Sequence, residues 1–451
     1  MTDSARPDAE ALAFLDDLIR KARTAGADAA DALLVESRSL SAAQRLGKPE
    51  RLERSESNDL GLRVLIGKRQ AIVSGTDRSP AAIDALVERA VAMARIAPED
   101  EFAGLADPDQ VARSIPDLDL CDWAEPSPES VIERARAAEE AALAVPGVTN
   151  SEGAEAGWGI TRVLLAASNG FVGGYARSGH SVSAAAVAGS GTAMERDYDY
   201  SSVVHGADLE SPEAIGRSAG ERAVRRLNAR KVETARVPVL FEQRLAGGLL
   251  RHLAGAINGA AIARGTSFLK DRLGTQIFPS GINIVDDPTR RRGLASKPFD
   301  GEGLPTARRL LVEDGVLRSW VLDLHSARQL GLASTGSAAR GTGSPPSPST
   351  TNLYLEPGAQ TPEALIAEIE RGFLVTELIG MGVNLLTGDY SRGAAGFWIE
   401  NGAIAYPVSE MTIAGNLNDM FREMTVANDL VFRAAVNAPT VRIDGMTVAG
   451  R

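Results

Sequence analysis

Gly396-Phe-Trp-Ile-Glu-Asn-Gly-Ala-Ile-Ala-Tyr406 sets an Asn-Gly pair between two short β-prone runs, Gly396–Glu400 and Ala403–Tyr406. Asn401 and Gly402 both tolerate positive φ, which a tight two-residue turn requires, so the stretch predicts an antiparallel hairpin. The signature recurs upstream. Asp314-Gly315 separates Arg309–Val312 from Val316–Val321, and Asn169-Gly170 lies within residues 148–204. That Val-, Ser-, Ala- and Gly-rich stretch reads as a meander of antiparallel strands. Ala32–Glu36, Leu60–Ile66 and Gln70–Ser74 also read as strands, the last two joined at Gly67-Lys68, and Val237–Phe241 reads as a buried one.

Helices between these strands are marked by one repeated device. Ser79-Pro80, Ser127-Pro128, Ser211-Pro212 and Thr361-Pro362 each put an N-cap hydroxyl before a proline at the first helical position. They predict helices near 80–97, 128–144, 212–229 and 362–370, with an opening helix near 8–25. A further helix carries Leu245, Leu249, Leu253, Ile257 and Ala260 on one stripe. The class is therefore α+β. The polar stretch 228–236 divides it into an N-terminal mixed α/β domain with antiparallel strands (1–232) and a C-terminal β-rich domain, barrel- or sandwich-like with packed helices (233–451). Ser334–Thr351, rich in Gly, Ser, Pro and Thr, reads as a long exposed loop.

The 451 residues are 44% hydrophobic and 24% charged, the composition of a folded chain. Forty-eight Lys and Arg against 59 Asp and Glu give a formal net charge of −11, contrary to a task of gripping phosphate backbones. The single cysteine, Cys121, builds neither a disulfide nor a Cys-based zinc site within the chain and fits a reducing compartment. Met1–Arg23 lacks the basic and apolar regions of a secretory signal, and no run approaches the roughly 18 apolar residues of a membrane helix. The expectation is a cytoplasmic protein with no direct nucleic-acid or membrane partner.

Cofactor and catalytic motifs are incomplete. Gly189-Ser-Gly191 and Gly380-Met-Gly382 lack the third glycine of a dinucleotide loop. Gly61–Lys68 has five residues between its glycines, with Arg69 in place of the magnesium-binding hydroxyl. Gly216-Arg-Ser218-Ala-Gly220 matches a nucleophile elbow, yet the stripe Ile215, Ala219, Ala223, Leu227 runs through it as one helix. His180, His205, His252 and His325 offer no pair within one helical turn, so no local metal pair is present. Asp286-Asp287-Pro288 reads as a strand-end turn and Asp323 as a helix cap. The residues supply no complete catalytic constellation.

Several stretches, taken together, resemble the TldD/PmbA family and its PmbA/TldE-like branch. They are Arg264-Gly-Thr-Ser-Phe-Leu-Lys270, Asp286-Asp-Pro288, Ser296-Lys-Pro-Phe-Asp-Gly-Glu-Gly303 and Ala333-Ser-Thr-Gly336, followed by Gly388-Asp-Tyr-Ser-Arg-Gly-Ala394, Gly396–Gly402 and Pro407-Val-Ser-Glu-Met-Thr-Ile-Ala-Gly-Asn416. Leu60-Gly-Leu-Arg-Val64 and Ser74-Gly-Thr76 extend the likeness over nearly the whole chain. The resemblance implies a two-subunit metalloprotease. TldD-type chains carry H-E-x-x-x-H on a helix just after the boundary, with a cysteine near the C-terminus. Two imidazoles and a thiolate then hold a zinc-type metal, and the glutamate handles the proton of the attacking water.

In register with that motif this chain has Arg251, His252 and Ala256, and its C-terminal half has no cysteine. Arginine and alanine cannot ligate a cation. The resemblance therefore implies a subunit with no catalytic or metal residues of its own. Its partner would be a TldD-like metalloprotease subunit, or a second copy of itself when that partner is absent. Its substrates would be peptides or unfolded protein. Ser267, Ser334, Thr335, Gly336 and Asn352 are the expected substrate or partner surface. The family's older label as a modulator of DNA gyrase implies an alternative, a non-enzymatic adaptor acting through protein partners.

Overall fold

The computed structural model describes residues 9–450; Met1–Asp8 and Arg451, including the predicted start of the opening helix at Asp8, lie outside them. Six strands come first: β1 (Ala29–Arg45), β2 (Lys48–Ile66), β3 (Arg69–Gly75), β4 (Val148–Ala167), β5 (Val172–Ala188) and β6 (Glu195–Val203). They form one antiparallel sheet in the order β3-β2-β1-β4-β5-β6. Gly67 and Gly170 turn with positive φ, as the hairpin reading requires. Strands β1 and β2 run well beyond the predicted segments. Lys48–Asn58 is exposed throughout, so no apolar alternation marks it. It is a strand because it pairs with β1, and the Leu46-Gly47 turn, both residues at positive φ, supplies the register.

Four helices, α1 (Ala9–Thr24), α2 (Pro80–Ile96), α3 (Pro128–Leu143) and α4 (Pro212–Arg225), cover one face of this sheet. Period-2 side-chain alternation decides which face. The even-numbered side chains Ala32, Leu34, Leu60, Leu62, Leu164 and Ala166 pack against Leu15, Leu18, Ile83 and Leu86 of α1 and α2. Farther along, Val182, Ala184 and Ala186 pack against Ala138, Ala142, Ile215 and Ala219 of α3 and α4. Burying each such leucine or isoleucine contributes about 2 kcal/mol. Ser127 and Ser211 accept the predicted capping bonds, from the N–H of Ser130 and Ala214. Ser79 makes none, and its own N–H is held by Asp77 instead.

The second half opens on β7 (Ala235–Phe241), α5 (Gln243–Ala256) and α6 (Gly259–Ala263), then β8 (Ile284–Asp286), β9 (Arg309–Glu313), β10 (Val316–Leu317) and α7 (Leu324–Leu330). A short hairpin follows, β11 (Ala338–Ala339) and β12 (Ser347–Pro348), then β13 (Leu353–Leu355), α8 (Pro362–Ala367), β14 (Arg371–Val383), β15 (Asp389–Glu400) and β16 (Ala403–Asn416). The last elements are α9 (Leu417–Arg422), β17 (Met424–Val426), β18 (Val436–Asn437) and β19 (Val441–Ala449). Strand order β16-β15-β14-β7-β19, with β16 pairing back onto β19, closes a barrel, and β17 extends from β19. Both predicted hairpin turns in this half, Asp314-Gly315 and Asn401-Gly402, have positive φ at both residues. The barrel and helix α5 share one core that includes Val239, Phe241, Leu249, Leu253, Phe373 and Trp398. A second sheet, β10-β9-β8-β13-β18, lies on the other side of α5.

Ser334–Thr351 is not the exposed loop its composition predicts. It forms the β11–β12 hairpin, buries Ser337, Ala338 and Thr351, and brings the Arg340 guanidinium onto Asp31 of β1 at 2.6 Å. Other ties between the halves are His325 to Asp100, Arg292 to Asp119, Arg244 to Asp197 and Arg433 to Asp199. Among the described residues, no helix is long and apolar enough to cross a membrane.

Candidate functional site

Helix α5 carries the three positions that the family motif would occupy. Its buried stripe is Ala246, Leu249, Leu250, Leu253 and Ala256, facing the core between the barrel and the second sheet. That periodicity sets the rest. Arg251 points to solvent, Ala256 is fully buried, and His252 lies half-buried between them. The His252 imidazole meets the ring of Tyr390 on β15 edge to face, with centroids 5.9 Å apart. Burial, and then the charges of Arg392 and Arg251, push its pKa down to about 4. Tyr390 is itself buried, which holds its phenol protonated.

This donor set does not suit a divalent cation. Arg251 and Ala256 present no lone pair, and His252 sits beside two guanidinium groups that repel positive charge. Among the described residues, no cluster of three or more His, Cys, Asp and Glu is arranged to share a metal ion. Cys121 lies in the other half of the chain, half-buried, its thiol pushed up to about 12 by burial and then by Asp122. It is a poor nucleophile and a poor ligand in that state. His252 is expected to titrate by NMR with a midpoint about 4, against about 6.5 for a free imidazole. Arg392→Gln should move that midpoint up; an unshifted midpoint near 6.5 in the wild type would contradict the packing described.

The five residues expected to form a substrate or partner surface do not lie together on one. Ser267 is 2% exposed, its hydroxyl donating to the Ala256 carbonyl at 2.5 Å and accepting from the Leu269 N–H. Asn352 is equally buried and holds Asp287, Ala295 and Ser296 together. Ser334 and Thr335 are half-buried and bond to Leu322, and Gly336 is buried at positive φ against the Pro305 carbonyl. These small polar residues fold the turns of the second half from within, because buried polar groups must find partners.

Ser218, Asp286, Asp287 and Asp323 take the helix, strand-end and cap places predicted from sequence. Ser218 lies inside α4 and donates to Asp199 at 2.5 Å. Asp286 ends β8, bonded to the N–H and hydroxyl of Thr351, while Asp287 closes a turn onto Thr289. Asp323 caps α7 through the Ser326 N–H. His180 is buried 3.4 Å from Asp122, His205 lies 3.3 Å from Asp119, and His325 lies 3.0 Å from Asp100.

Sequence reading missed a buried ionic knot. Asp31 of β1 faces Arg63 of β2 in direct register and accepts from its Nε at 2.8 Å, while Arg340 arrives from the hairpin on the other carboxylate oxygen. Burial alone would raise the Asp31 pKa, but the charges of Arg340 and Arg63 outweigh it and hold the carboxyl below its usual range. Nearby, Glu302 accepts the Leu324 N–H and is pushed up to about 8 by burial and by Asp300. The available signal was a lone charge in each of two apolar runs, Asp31 within Ala29–Leu34 and Arg63 within Leu60–Leu65.

Comparison with known proteins covers almost the whole of this architecture. Models of the PmbA/TldA metallopeptidase family match in series: domain 1 over residues 30–94, the central domain over 121–227 and the C-terminal domain over 234–450. The metalloprotease PmbA of Escherichia coli O157:H7 is 41% identical over 426 residues, 94% of this chain and 93% of that one. A Haemophilus influenzae PmbA homologue is 38% identical over 98% of this chain and 96% of its own length. A crystal structure from Bacteroides thetaiotaomicron, described as a candidate modulator of DNA gyrase, superposes with TM-score 0.91 at 29% identity, covering 98% of this chain and 100% of that one. TldE from Thermococcus kodakarensis has the same fold, with TM-score 0.87 at 22% identity over 97% of this chain and 100% of its own. With its motifs, its fold and nearly its full length accounted for in this way, the chain belongs to the PmbA/TldD metallopeptidase family.

Proposed function

We propose that this chain is the metal-free, PmbA/TldE-like subunit of a two-subunit cytoplasmic peptidase, working beside a TldD-like subunit that holds a zinc-type metal. The observation that carries this reading is the donor set of α5: Arg251, His252 and Ala256 stand at the three motif positions, and Cys121 is the chain's single cysteine. A helix with those side chains can position a neighbour, but it cannot activate water through a cation. The role left to it is to help enclose the partner's site and to hold extended substrate through main-chain hydrogen bonds, which bind peptide without demanding a sequence. Strand β2 suits such pairing, because Lys48–Asn58 is exposed and only its β1 side is paired.

The test is reconstitution. The purified chain alone should bind less than one-tenth of an equivalent of zinc and cleave no unstructured peptide. Mixed with a TldD-type partner it should give peptidase activity that a chelator abolishes. Chelator-sensitive cleavage by this chain alone would overturn the proposal. So would an undiminished rate from the partner with this chain left out.

A further inference from the structure

The face of the first sheet that bears no helix carries the odd-numbered side chains Leu33, Val35, Val163 and Leu165, and they line a cavity of about 470 Å³. Its other wall comes from the second half of the chain: Phe299-Asp300-Gly301 and the β11–β12 hairpin. Apolar and polar groups from both halves thus converge on one space, the usual make-up of a small-molecule site.

Lys297, which lines this cavity, is a largely buried ammonium without a counter-ion in contact. Its Nζ donates to the Ala338 carbonyl at 2.7 Å, and among the described residues no carboxylate stands within ion-pair distance. The two acids nearest in charge are engaged elsewhere. Asp300 accepts from the N–H groups of Glu302, Leu304 and Ala338, and Asp286 accepts from Thr351. An ammonium has three donors, so Lys297 keeps two to spare in a place where unmet donors are costly. Arg177, also lining the cavity, is exposed, and among the described residues its side chain bonds only the Leu294 carbonyl. Asp59, across the cavity on β2, has no ion-pair partner among the described residues.

We infer that this cavity binds an apolar α-amino acid through its carboxylate, either free or as the last residue of a peptide, with the carboxylate on Lys297 and Arg177 and the side chain on Leu33, Val35, Val163 and Leu165. A free amino acid would set its ammonium toward Asp59. A peptide would place its preceding amide there. The site stands on the cavity alone and does not require the peptidase role, since binding is read from the isolated full-length chain.

Calorimetric titration of that chain with leucine, Ala-Ala-Leu, its C-terminal amide and acetate tests the assignment. The acid form of Ala-Ala-Leu should bind about tenfold or more tightly than the amide, which is the loss expected for one charged hydrogen bond. Acetate should compete at least about tenfold more weakly than leucine, because it lacks the apolar side chain. Lys297→Gln should weaken the acid by about tenfold or more, and Arg177→Gln, at an exposed position that leaves the fold intact, by about threefold. Whichever of leucine and Ala-Ala-Leu binds more tightly identifies the source of the ligand, and either order supports the site. Equal binding of acid and amide, acetate as good as leucine, or no heat from any ligand at millimolar concentration overturns it. The wild-type comparison of acid with amide holds even if Lys297→Gln fails to fold.

Discussion

Asp31→Ala should destabilise the chain by about 3–5 kcal/mol, the cost of leaving a buried charge without its partner. Two guanidinium groups are stranded rather than one. Arg63 is 3% exposed, the Arg340 side chain 1%, and Asp31 is the carboxylate both contact. The Nε and Nη2 of Arg340 already lack acceptors, so alanine would leave that guanidinium with no acceptor at all. Because Arg340 comes from the other half of the chain, the lost contact also loosens the β11–β12 hairpin from the first sheet. The pH dependence has a fixed sign. The folded-state pKa of Asp31 lies below that of a free aspartate, so its contribution is full above the free-aspartate value and is lost as pH falls through the lower, folded one. Thermal and urea unfolding at pH 7 measure the effect, with Arg136→Ala, which removes two surface ion pairs to Glu133 and Glu140, as the near-neutral control. A loss below about 1 kcal/mol for Asp31→Ala would mean that the knot is far better solvated than its burial indicates.

What could be read from the sequence was local chemistry. Asn401-Gly402 and Asp314-Gly315 make hairpins because two adjacent residues accept positive φ, and Ser127 and Ser211 cap helices because a hydroxyl lies three residues before an orphan N–H. Closure of the barrel was legible only as a class, since the β16–β19 pairing joins strands that share no turn. Ser334–Thr351 misled for the same reason. Its composition is that of a loop, but Arg340 is buried by a residue 309 positions away. At the candidate site, residue types at 251, 252 and 256 could be read directly, whereas the half-burial of His252 depends on Tyr390 from a distant strand. Ser267 and Asn352 look like surface in sequence because small polar residues usually are. Here they are interior because each finds hydrogen-bond partners there.

Gly216→Ala and Ser218→Ala should part company, although both fall in the five-residue pattern of a nucleophile elbow. At Gly216 an added Cβ would lie 1.9 Å from the Ala138 carbonyl oxygen and 3.0 Å from the Ala142 nitrogen, so α3 and α4 touch backbone to backbone. At Gly220 the same atom would lie 2.9 Å from the Ala142 carbonyl. Alanine gains roughly 1 kcal/mol of helix propensity over glycine. The clash is with main chain, which no rotamer change relieves, so the helices must separate at a cost of about 3 kcal/mol or more. The net effect of Gly216→Ala is a lowered unfolding midpoint and a loosened pair of helices over β5 and β6. Ser218→Ala removes a hydroxyl that donates to Asp199 and accepts from Arg222 Nε, a loss of about 1–2 kcal/mol, while Asp199 keeps Arg433 and Arg222 keeps Glu242. Peptidase activity reconstituted with a TldD-type partner should therefore be unchanged by Ser218→Ala, whereas loss of a true nucleophile lowers turnover by orders of magnitude. A thousandfold fall in that rate with the fold intact would make Ser218 catalytic after all, and the glycines beside it would then need a reason other than helix packing.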